Sequence, residues 1–136
     1  MIKTKKILYC IIIILFLTII LSSCQLSPNV AYDNFITDLD ILYRFEDIAF
    51  NIEFGRYSSI FQSDIKYIIR DLETLEIDDK EAVKINNKFL KSANAFLRAS
   101  INYDNGSKDH AMVVHEYAKN KYEEALTAYY NFVVEK

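Results

Sequence analysis

Apolar residues recur along four segments of the chain at alternating spacings of three and four residues, which places them on one face of an α-helix. The second segment is the most regular, with the apolar stripe Phe61, Ile65, Ile68, Leu72 and Leu75. The pattern therefore predicts an all-α domain whose four amphipathic helices span about 29–54, 59–76, 79–103 and 108–134.

Residues that interrupt helices are scarce in this chain. It contains two glycines and one proline among 136 residues, and Pro28, Gly55 and Gly106 all fall outside the interiors of the predicted helices. Short polar turns join the helices, the clearest of them around Asn105-Gly106. Because short connections make consecutive helices antiparallel neighbours, we expect an antiparallel, up-down-up-down four-helix bundle.

The expected inner and outer faces follow from the same spacing. The first helix has a polar stripe of Asp33, Thr37, Asp40, Arg44, Asp47 and Asn51. Its broad apolar face comprises Phe35, Leu39, Leu42, Ala49 and Ile52 with Ile41, Phe45 and Ile48. The inner face of the third helix is Ala82, Ile85, Phe89, Ala93 and Phe96, flanked by Leu90, Leu97 and Ile101. That of the fourth is Ala111, Val114, Ala118, Tyr122, Ala125, Tyr129 and Phe132. Together these faces predict a single core.

The first 24 residues have a different pattern. Lys3, Lys5 and Lys6 precede an unbroken apolar run from Ile7 to Leu21, and this order is typical of an export signal. A helix that spans a membrane needs about 20 apolar residues, and this run is shorter. Its length favours a cleaved signal peptide, with an uncleaved signal anchor as the alternative.

The segment ends in Leu21-Ser22-Ser23-Cys24. This ending resembles the lipobox of bacterial lipoproteins, which is an aliphatic residue, two small residues and an obligatory cysteine. The resemblance implies that residues 1–23 are removed as a signal peptide and that Cys24 carries a lipid anchor with acyl chains such as palmitate. Residues 24–28 would then tether a domain of residues 29–136 to the outer side of a cell membrane or an outer membrane.

Removal of the signal peptide also changes the charge. Three of the 16 basic side chains leave with it, so the mature chain keeps 13 basic against 19 acidic side chains. Phosphate backbones and anionic head groups repel such a domain, and we therefore expect no nucleic-acid partner. Cys10 leaves with the signal peptide and Cys24 is modified, so no disulfide is expected.

No catalytic or metal-binding motif is complete in the sequence. His115-Glu116 begins like the zinc-protease motif H-E-x-x-H, but Lys119 stands where the second histidine belongs. His110 lies five residues before His115, about 140° around a helix, so the two do not share one metal ion. We expect both histidines at the surface or at helix caps, with no metal, no cofactor and no enzymatic activity.

The expected topology singles out one end of the bundle. If the amino terminus is held at the membrane, the turns at 53–59 and 102–110 lie at the far end, where a partner arrives most easily. Tyrosine and arginine are enriched at binding hot spots. The candidate partner-binding residues are therefore Arg56, Tyr57, Tyr103, Asp104 and His110; the alternative is that these are ordinary helix turns whose aromatic residues cap the core.

These observations favour a membrane-anchored, non-catalytic interaction module that binds an envelope protein, of the accessory envelope, secretion or immunity and exclusion type. The alternative is a carrier of a small apolar ligand, bound in a cleft near Tyr122, Tyr129 and Phe132 with Phe89 and Phe96. The basic residues of the third helix, Lys84, Lys88, Lys91 and Arg98, are either a docking strip for an acidic partner or a solvated face that pairs with acids of the first two helices. Self-association is left open.

Overall fold

A computed structural model of the chain describes residues 26–53 and 59–134, with side chains at 26–52 and 61–134. Those residues form five α-helices and no strand: α1 (Pro28–Asp38), α2 (Ile41–Glu53), α3 (Ser59–Glu73), α4 (Lys80–Asp104) and α5 (Lys108–Val134). The prediction of an all-α fold is confirmed. The predicted signal peptide and Cys24 lie outside the described residues.

The prediction of one continuous helix over residues 29–54 is wrong, because the chain breaks between α1 and α2. Asp40 adopts a φ of 51°, a left-handed conformation that aspartate tolerates better than most residues. Its N–H donates to the Thr37 carbonyl at 3.0 Å, and its own carbonyl accepts from the Arg44 N–H at 3.0 Å. Asp40 therefore ends one helix and begins the next.

Side chains also fix the boundary between α3 and α4. Asn86 donates from Nδ2 to the Leu72 carbonyl at 2.7 Å, and the Thr74 hydroxyl donates to the Asp71 carbonyl at 2.6 Å. These bonds satisfy carbonyls that the end of a helix leaves without partners, and α3 ends at Glu73, before the predicted residue 76. Asp79 caps α4 by accepting from the Glu81 and Ala82 N–H groups at 3.0 and 2.9 Å.

The most extensive packing is between α4 and α5, which run antiparallel. Phe89 contacts Tyr122 at a ring separation of 6.1 Å, and Phe96 contacts His115 at 5.6 Å, so the residue number falls along α5 as it rises along α4. Two small, fully buried residues meet in this contact, where the Ser92 hydroxyl of α4 donates to the Ala118 carbonyl of α5 at 2.8 Å. Their size lets the two backbones approach closely.

The helices α1 and α2 close the core from the other side. Phe45 is fully buried, stacks on Tyr122 at 4.9 Å and contacts Phe89 at 5.7 Å and Phe96 at 6.2 Å. Tyr32, also fully buried, contacts the ring of Tyr129 at 6.2 Å. The described helices thus form a helical bundle around one aromatic core.

Several predicted burial positions need correction. His115 was expected at the surface or at a cap, but it is only 3% exposed, because the face of α5 that carries Ala111 and Ala118 turns it inward. Ile101, expected to flank the core, is 40% exposed. Tyr32 and Ile36, which the predicted apolar face omitted, are buried. Four residues of that predicted face are only partly buried: Phe35, Leu39, Leu42 and Ala49.

Candidate functional site

The predicted partner-binding residues divide into two groups. Arg56 and Tyr57 lie outside the described residues, as does the predicted lipidation site Cys24. Tyr103 and Asp104 form the last turn of α4, and His110 lies in the first turn of α5. The described part of the candidate site is therefore the connection between α4 and α5.

A Schellman motif shapes this connection. The Ser107 N–H donates to the Asn102 carbonyl at 2.9 Å, and the Gly106 N–H donates to the Tyr103 carbonyl at 3.0 Å. Gly106 has a φ of 81°, a conformation that glycine adopts without a Cβ clash. The predicted Asn105-Gly106 turn is thus a tight reversal that holds the ends of α4 and α5 together.

Two further contacts order the side chains at this end. Gln62 of α3 donates from Nε2 to the Asp104 carboxylate at 2.5 Å, which joins the start of α3 to the end of α4. The Lys108 ammonium lies 5.4 Å from the centre of the Tyr103 ring, a cation–π contact. His110 is exposed, and Gln62 and Lys108 are neighbours of the site that the sequence prediction missed.

The start of α1 and the end of α5 meet at the opposite end of the bundle. The Tyr129 hydroxyl donates a short hydrogen bond to the Asp33 carboxylate, and the ring of Phe132 packs edge-on against Tyr32 at 6.2 Å. Residues of the α3–α4 connection lie there too, since Thr74 and Ile77 border the same shallow surface depression as Ala31. The chain therefore enters the bundle at the end remote from the α4–α5 turn.

Three tyrosines of the core are held in their neutral form. Burial raises the pKa values of Tyr32 and Tyr122 far above the usual value. Burial, and then the hydrogen bond to the Asp33 carboxylate, do the same for Tyr129. The Tyr32 hydroxyl has no hydrogen-bond partner among the described residues. The three hydroxyl groups therefore remain protonated at neutral pH.

The two residues of the incomplete zinc motif lie on different sides of α5. His115 packs against the ring of Phe96 in the core, whereas Glu116 is exposed on the other side of α5. No cluster of three or more potential metal ligands occurs within residues 26–53 and 59–134. Across the same residues, no helix is long and apolar enough to span a membrane.

The aromatic residues that were expected to line a ligand cleft pack against one another. Phe89 and Phe96 are fully buried, and Tyr122 and Tyr129 are 7% and 4% exposed. One surface depression along α4 and α5 is broad and open, and mostly polar side chains line it: Lys88, Tyr117, Asn120, Lys121, Glu124 and Asn131. Phe89, Phe96, Tyr122 and Tyr129 are therefore part of the packed core.

Four basic residues of α4 are exposed, namely Lys80, Lys84, Lys91 and Arg98, and Lys88 is half-buried. Lys84 pairs with Glu81 of the same helix at 3.3 Å. The hydrogen bond from Lys121 lowers the pKa of the Glu124 carboxyl of α5, and the nearby charges of Lys88 and Lys91 add to this effect. Within the described residues, none of the basic residues of α4 forms a salt bridge with an acid of α1, α2 or α3.

The fold and the site together define a helical bundle of the all-α class with an ordered α4–α5 turn. No protein-family model matches the sequence, and neither a curated protein nor a solved structure matches it.

Proposed function

We propose that the chain is a lipid-anchored lipoprotein on the outer side of a bacterial membrane and that it acts as a non-catalytic interaction module. In this proposal the signal peptide of residues 1–23 is removed, and Cys24 carries the lipid. The mature domain is an up-down-up-down four-helix bundle in which α1 and α2 together form the first arm. Its α4–α5 turn binds an envelope protein.

The observation that carries this proposal is that the start of α1 and the end of α5 lie together, at the end of the bundle remote from the α4–α5 turn. Tyr32, near the start of α1, packs against Tyr129 and Phe132, near the end of α5. The Gln62–Asp104 hydrogen bond belongs to the opposite end. The four residues 25–28 that follow Cys24 reach at most about 14 Å. A tether of this length would hold the end of the bundle that contains Tyr32 and Tyr129 near the membrane. The α4–α5 connection would then face away from the membrane.

The ordered side chains of that turn support a role in recognition. Gln62 fixes the Asp104 carboxylate, and the Schellman motif fixes the backbone beside it. A surface that is ordered before it binds loses less conformational entropy on binding. The exposed residues Asp104, Lys108 and His110 offer both charge signs within a few residues.

Site-specific photocrosslinking in the producing cell tests the binding surface. A photoreactive side chain at His110 is expected to give a discrete adduct with an envelope protein. The matched control is Thr127, which is exposed on the same helix about 25 Å further along. Equal adducts from both positions, or none from either, would contradict the proposed surface.

Metabolic labelling tests the anchor separately. The chain is expected to incorporate radiolabelled palmitate, and Cys24→Ala is expected to remove all of the label and to release the chain from the membrane fraction. Label that persists in the Cys24→Ala variant would refute the lipoprotein assignment without bearing on the binding surface.

A further inference from the structure

Charge is unevenly distributed between α4 and the part of the chain that precedes it. Residues 26–79 contain twelve acidic and four basic side chains. The helix α4 contains five basic and two acidic side chains, and the two acids, Glu81 and Asp104, lie in its first and last turns. Glu81 pairs with Lys84. The excess of positive charge therefore belongs to the middle of α4, from Lys88 to Arg98.

A shallow surface depression lies along this middle part of α4, beside α5. Its lining consists of two cations, two amides, one aromatic ring and one partly buried apolar side chain: Lys91, Arg98, Asn87, Asn94, Tyr117 and Leu90. We call these six residues the basic depression. Lys91 and Arg98 are exposed, and neither forms a salt bridge within the described residues. The Tyr117 side chain is 46% exposed, so its ring and both cations are accessible to a ligand.

The aromatic ring of the basic depression lies between its two cations. Lys91 and Arg98 are seven residues apart on α4, which corresponds to about 10.5 Å along the helix. The hydrogen bond from the Ser92 hydroxyl to the Ala118 carbonyl sets these two residues side by side. Because α5 runs antiparallel to α4, Tyr117 then lies between the levels of Lys91 and Arg98. The depression thus presents a cation, an aromatic ring and a second cation in that order.

This order is complementary to an extended acidic peptide. In an extended strand alternate side chains point to the same side, and five consecutive residues span about 13 Å. A segment with the order acidic–x–aromatic–x–acidic therefore presents two carboxylates and one ring on one side. The long side chains of Lys91 and Arg98 accommodate the difference between 13 and 10.5 Å, both approximate lengths. The amides of Asn87 and Asn94 can bond to the peptide backbone.

The acids around the basic depression favour a short acidic segment over a long polyanion. Glu123 and Glu124 line the neighbouring depression, which shares Tyr117 with this one. Glu81 lies on α4 itself, ten residues or about 15 Å before Lys91. These carboxylates repel negative charge that extends beyond the depression. A nucleic acid or an acidic polysaccharide is charged along its whole length, so it fits this surface less well than a peptide with two acidic residues.

We propose that the basic depression binds an extended acidic segment of a partner protein with the side-chain order acidic–x–aromatic–x–acidic. The two carboxylates bind Lys91 and Arg98, and the aromatic ring packs against Tyr117. Of the basic residues of α4, these two have the docking role, whereas Lys84 pairs with Glu81 in its own helix. The site lies on the side of the bundle, and the proposal does not rest on the lipid anchor or on the partner of the α4–α5 turn.

A labelled peptide tests the site on the full chain in detergent. The probe has the sequence glutamate, serine, phenylalanine, serine, glutamate, with blocked ends and a fluorescent label, and fluorescence anisotropy measures its binding at about 0.15 M salt. Lys91→Ala with Arg98→Ala is expected to weaken binding at least about tenfold. The matched control, Lys66→Ala with Lys80→Ala, removes two exposed cations outside the depression and should change the affinity less than about twofold. Equal weakening by both pairs, or no binding to the native chain, would overturn the proposal.

Paired changes in the chain and in the peptide test the aromatic contact. Tyr117→Ala is expected to weaken binding of the phenylalanine peptide at least about threefold, and to leave unchanged the binding of a peptide with alanine in place of phenylalanine. Tyr117→Phe keeps the ring and should bind both peptides as the native chain does. Equal weakening of both peptides by Tyr117→Ala, with native helicity by circular dichroism, would refute the contact between the two rings.

Competition separates a peptide site from a general polyanion surface. Polygalacturonate carries one carboxylate on every sugar and should displace the peptide poorly at the same concentration of carboxylates. Full displacement under these conditions would show that the surface takes any polyanion and would overturn the proposal.

Discussion

Arg44 and Asp71 join the break between α1 and α2 to the last turn of α3. Nη1 of Arg44 lies 2.7 Å from Oδ2 of Asp71 and also donates to the Leu39 carbonyl at 3.1 Å. The two side chains are only 26% and 17% exposed, so water screens the pair less than a surface salt bridge. The guanidinium thus satisfies a carbonyl that the helix break leaves without an intrahelical partner.

Replacement of Arg44 should destabilise the fold. Arg44→Ala leaves the Leu39 carbonyl and the Asp71 carboxylate without this donor, and we expect a loss of about 1–2 kcal/mol in the free energy of unfolding. Urea unfolding of the full chain in detergent, followed by circular dichroism, measures it. The control is Arg70→Ala, because Arg70 also binds Asp71 but is 65% exposed, and its loss should cost less than about 0.5 kcal/mol. Equal costs for the two variants would contradict the bridging role of Arg44.

The same pair makes stability depend on pH in the acid range. Burial opposes the charged form of Asp71, but the hydrogen bonds from Arg44 and Arg70 outweigh it and hold the pKa of the carboxyl below its usual value of 3.8. A lowered pKa stabilises the fold above the pKa of the unfolded chain, and this contribution is lost as the pH falls below about 4 and through the folded value. Asp71→Asn should remove this part of the pH dependence between pH 5 and pH 2. An unchanged slope in that variant would show that other carboxyl groups cause the acid lability.

The spacing of buried residues contains a signal for the helix break at Asp40, but neighbouring apolar residues obscure this signal. The buried residues of α1 and α2 follow a spacing of four up to Ile36, then a step of five to Ile41, and then four and three again. A step of five turns a continuous helix by about 140°, so the apolar face is maintained only if the helix breaks. Partly buried apolar residues such as Phe35 and Leu39 lie between the buried positions. Because of them, the sequence pattern of the two helices resembles the broad apolar face of one continuous helix.

The candidate site also has one part that the local sequence predicts and another part that it does not. The Asn105-Gly106 turn is predictable because its conformation depends on local residues. The Gln62–Asp104 hydrogen bond joins residues 42 positions apart, and such a contact follows from packing that no local pattern encodes. His115 also escaped prediction, because a histidine contributes little to an apolar stripe even where small neighbours such as Ala111 and Ala118 leave room for its ring.

The conformation of Asp40 predicts which substitutions the helix break accepts. Asp40→Gly should be neutral or should stabilise the chain by up to about 0.5 kcal/mol, because glycine adopts a positive φ without a steric cost. Asp40→Val should cost more than about 1 kcal/mol, because a β-branched residue is strongly disfavoured there. Thermal unfolding of both variants gives the comparison. Similar melting temperatures for the two would argue against the left-handed conformation.

The close approach of α4 and α5 predicts intolerance of larger side chains. Ala118 is fully buried, and its carbonyl accepts a hydrogen bond from the Ser92 hydroxyl at 2.8 Å. Ala118→Leu should therefore force the helices apart and cost about 1–3 kcal/mol. Thr127→Leu, at an exposed position of the same helix, is the control and should cost little. Urea midpoints that do not differ between the variants would contradict the close packing.

The buried tyrosines predict a loss of stability in alkaline solution. Burial raises the pKa values of Tyr32, Tyr122 and Tyr129 above the unfolded value of about 10. For an acid whose pKa is raised in the folded state, the stabilisation is fully present below the unfolded pKa and is lost as the pH rises above it, because the unfolded chain releases the protons first. Each of the three should steepen the fall in the free energy of unfolding by up to about 1.4 kcal/mol per pH unit above pH 10.

Absorbance at about 295 nm, where tyrosinate absorbs, measures this effect during titration with base. The three tyrosines should ionise together with the loss of helicity by circular dichroism, and not before it. Tyr129→Phe removes one ionisable group and also the hydrogen bond to Asp33, so it should lower stability at neutral pH while it makes the alkaline fall less steep. Ionisation of Tyr32, Tyr122 and Tyr129 while the chain remains helical would show that these side chains reach solvent in the folded protein.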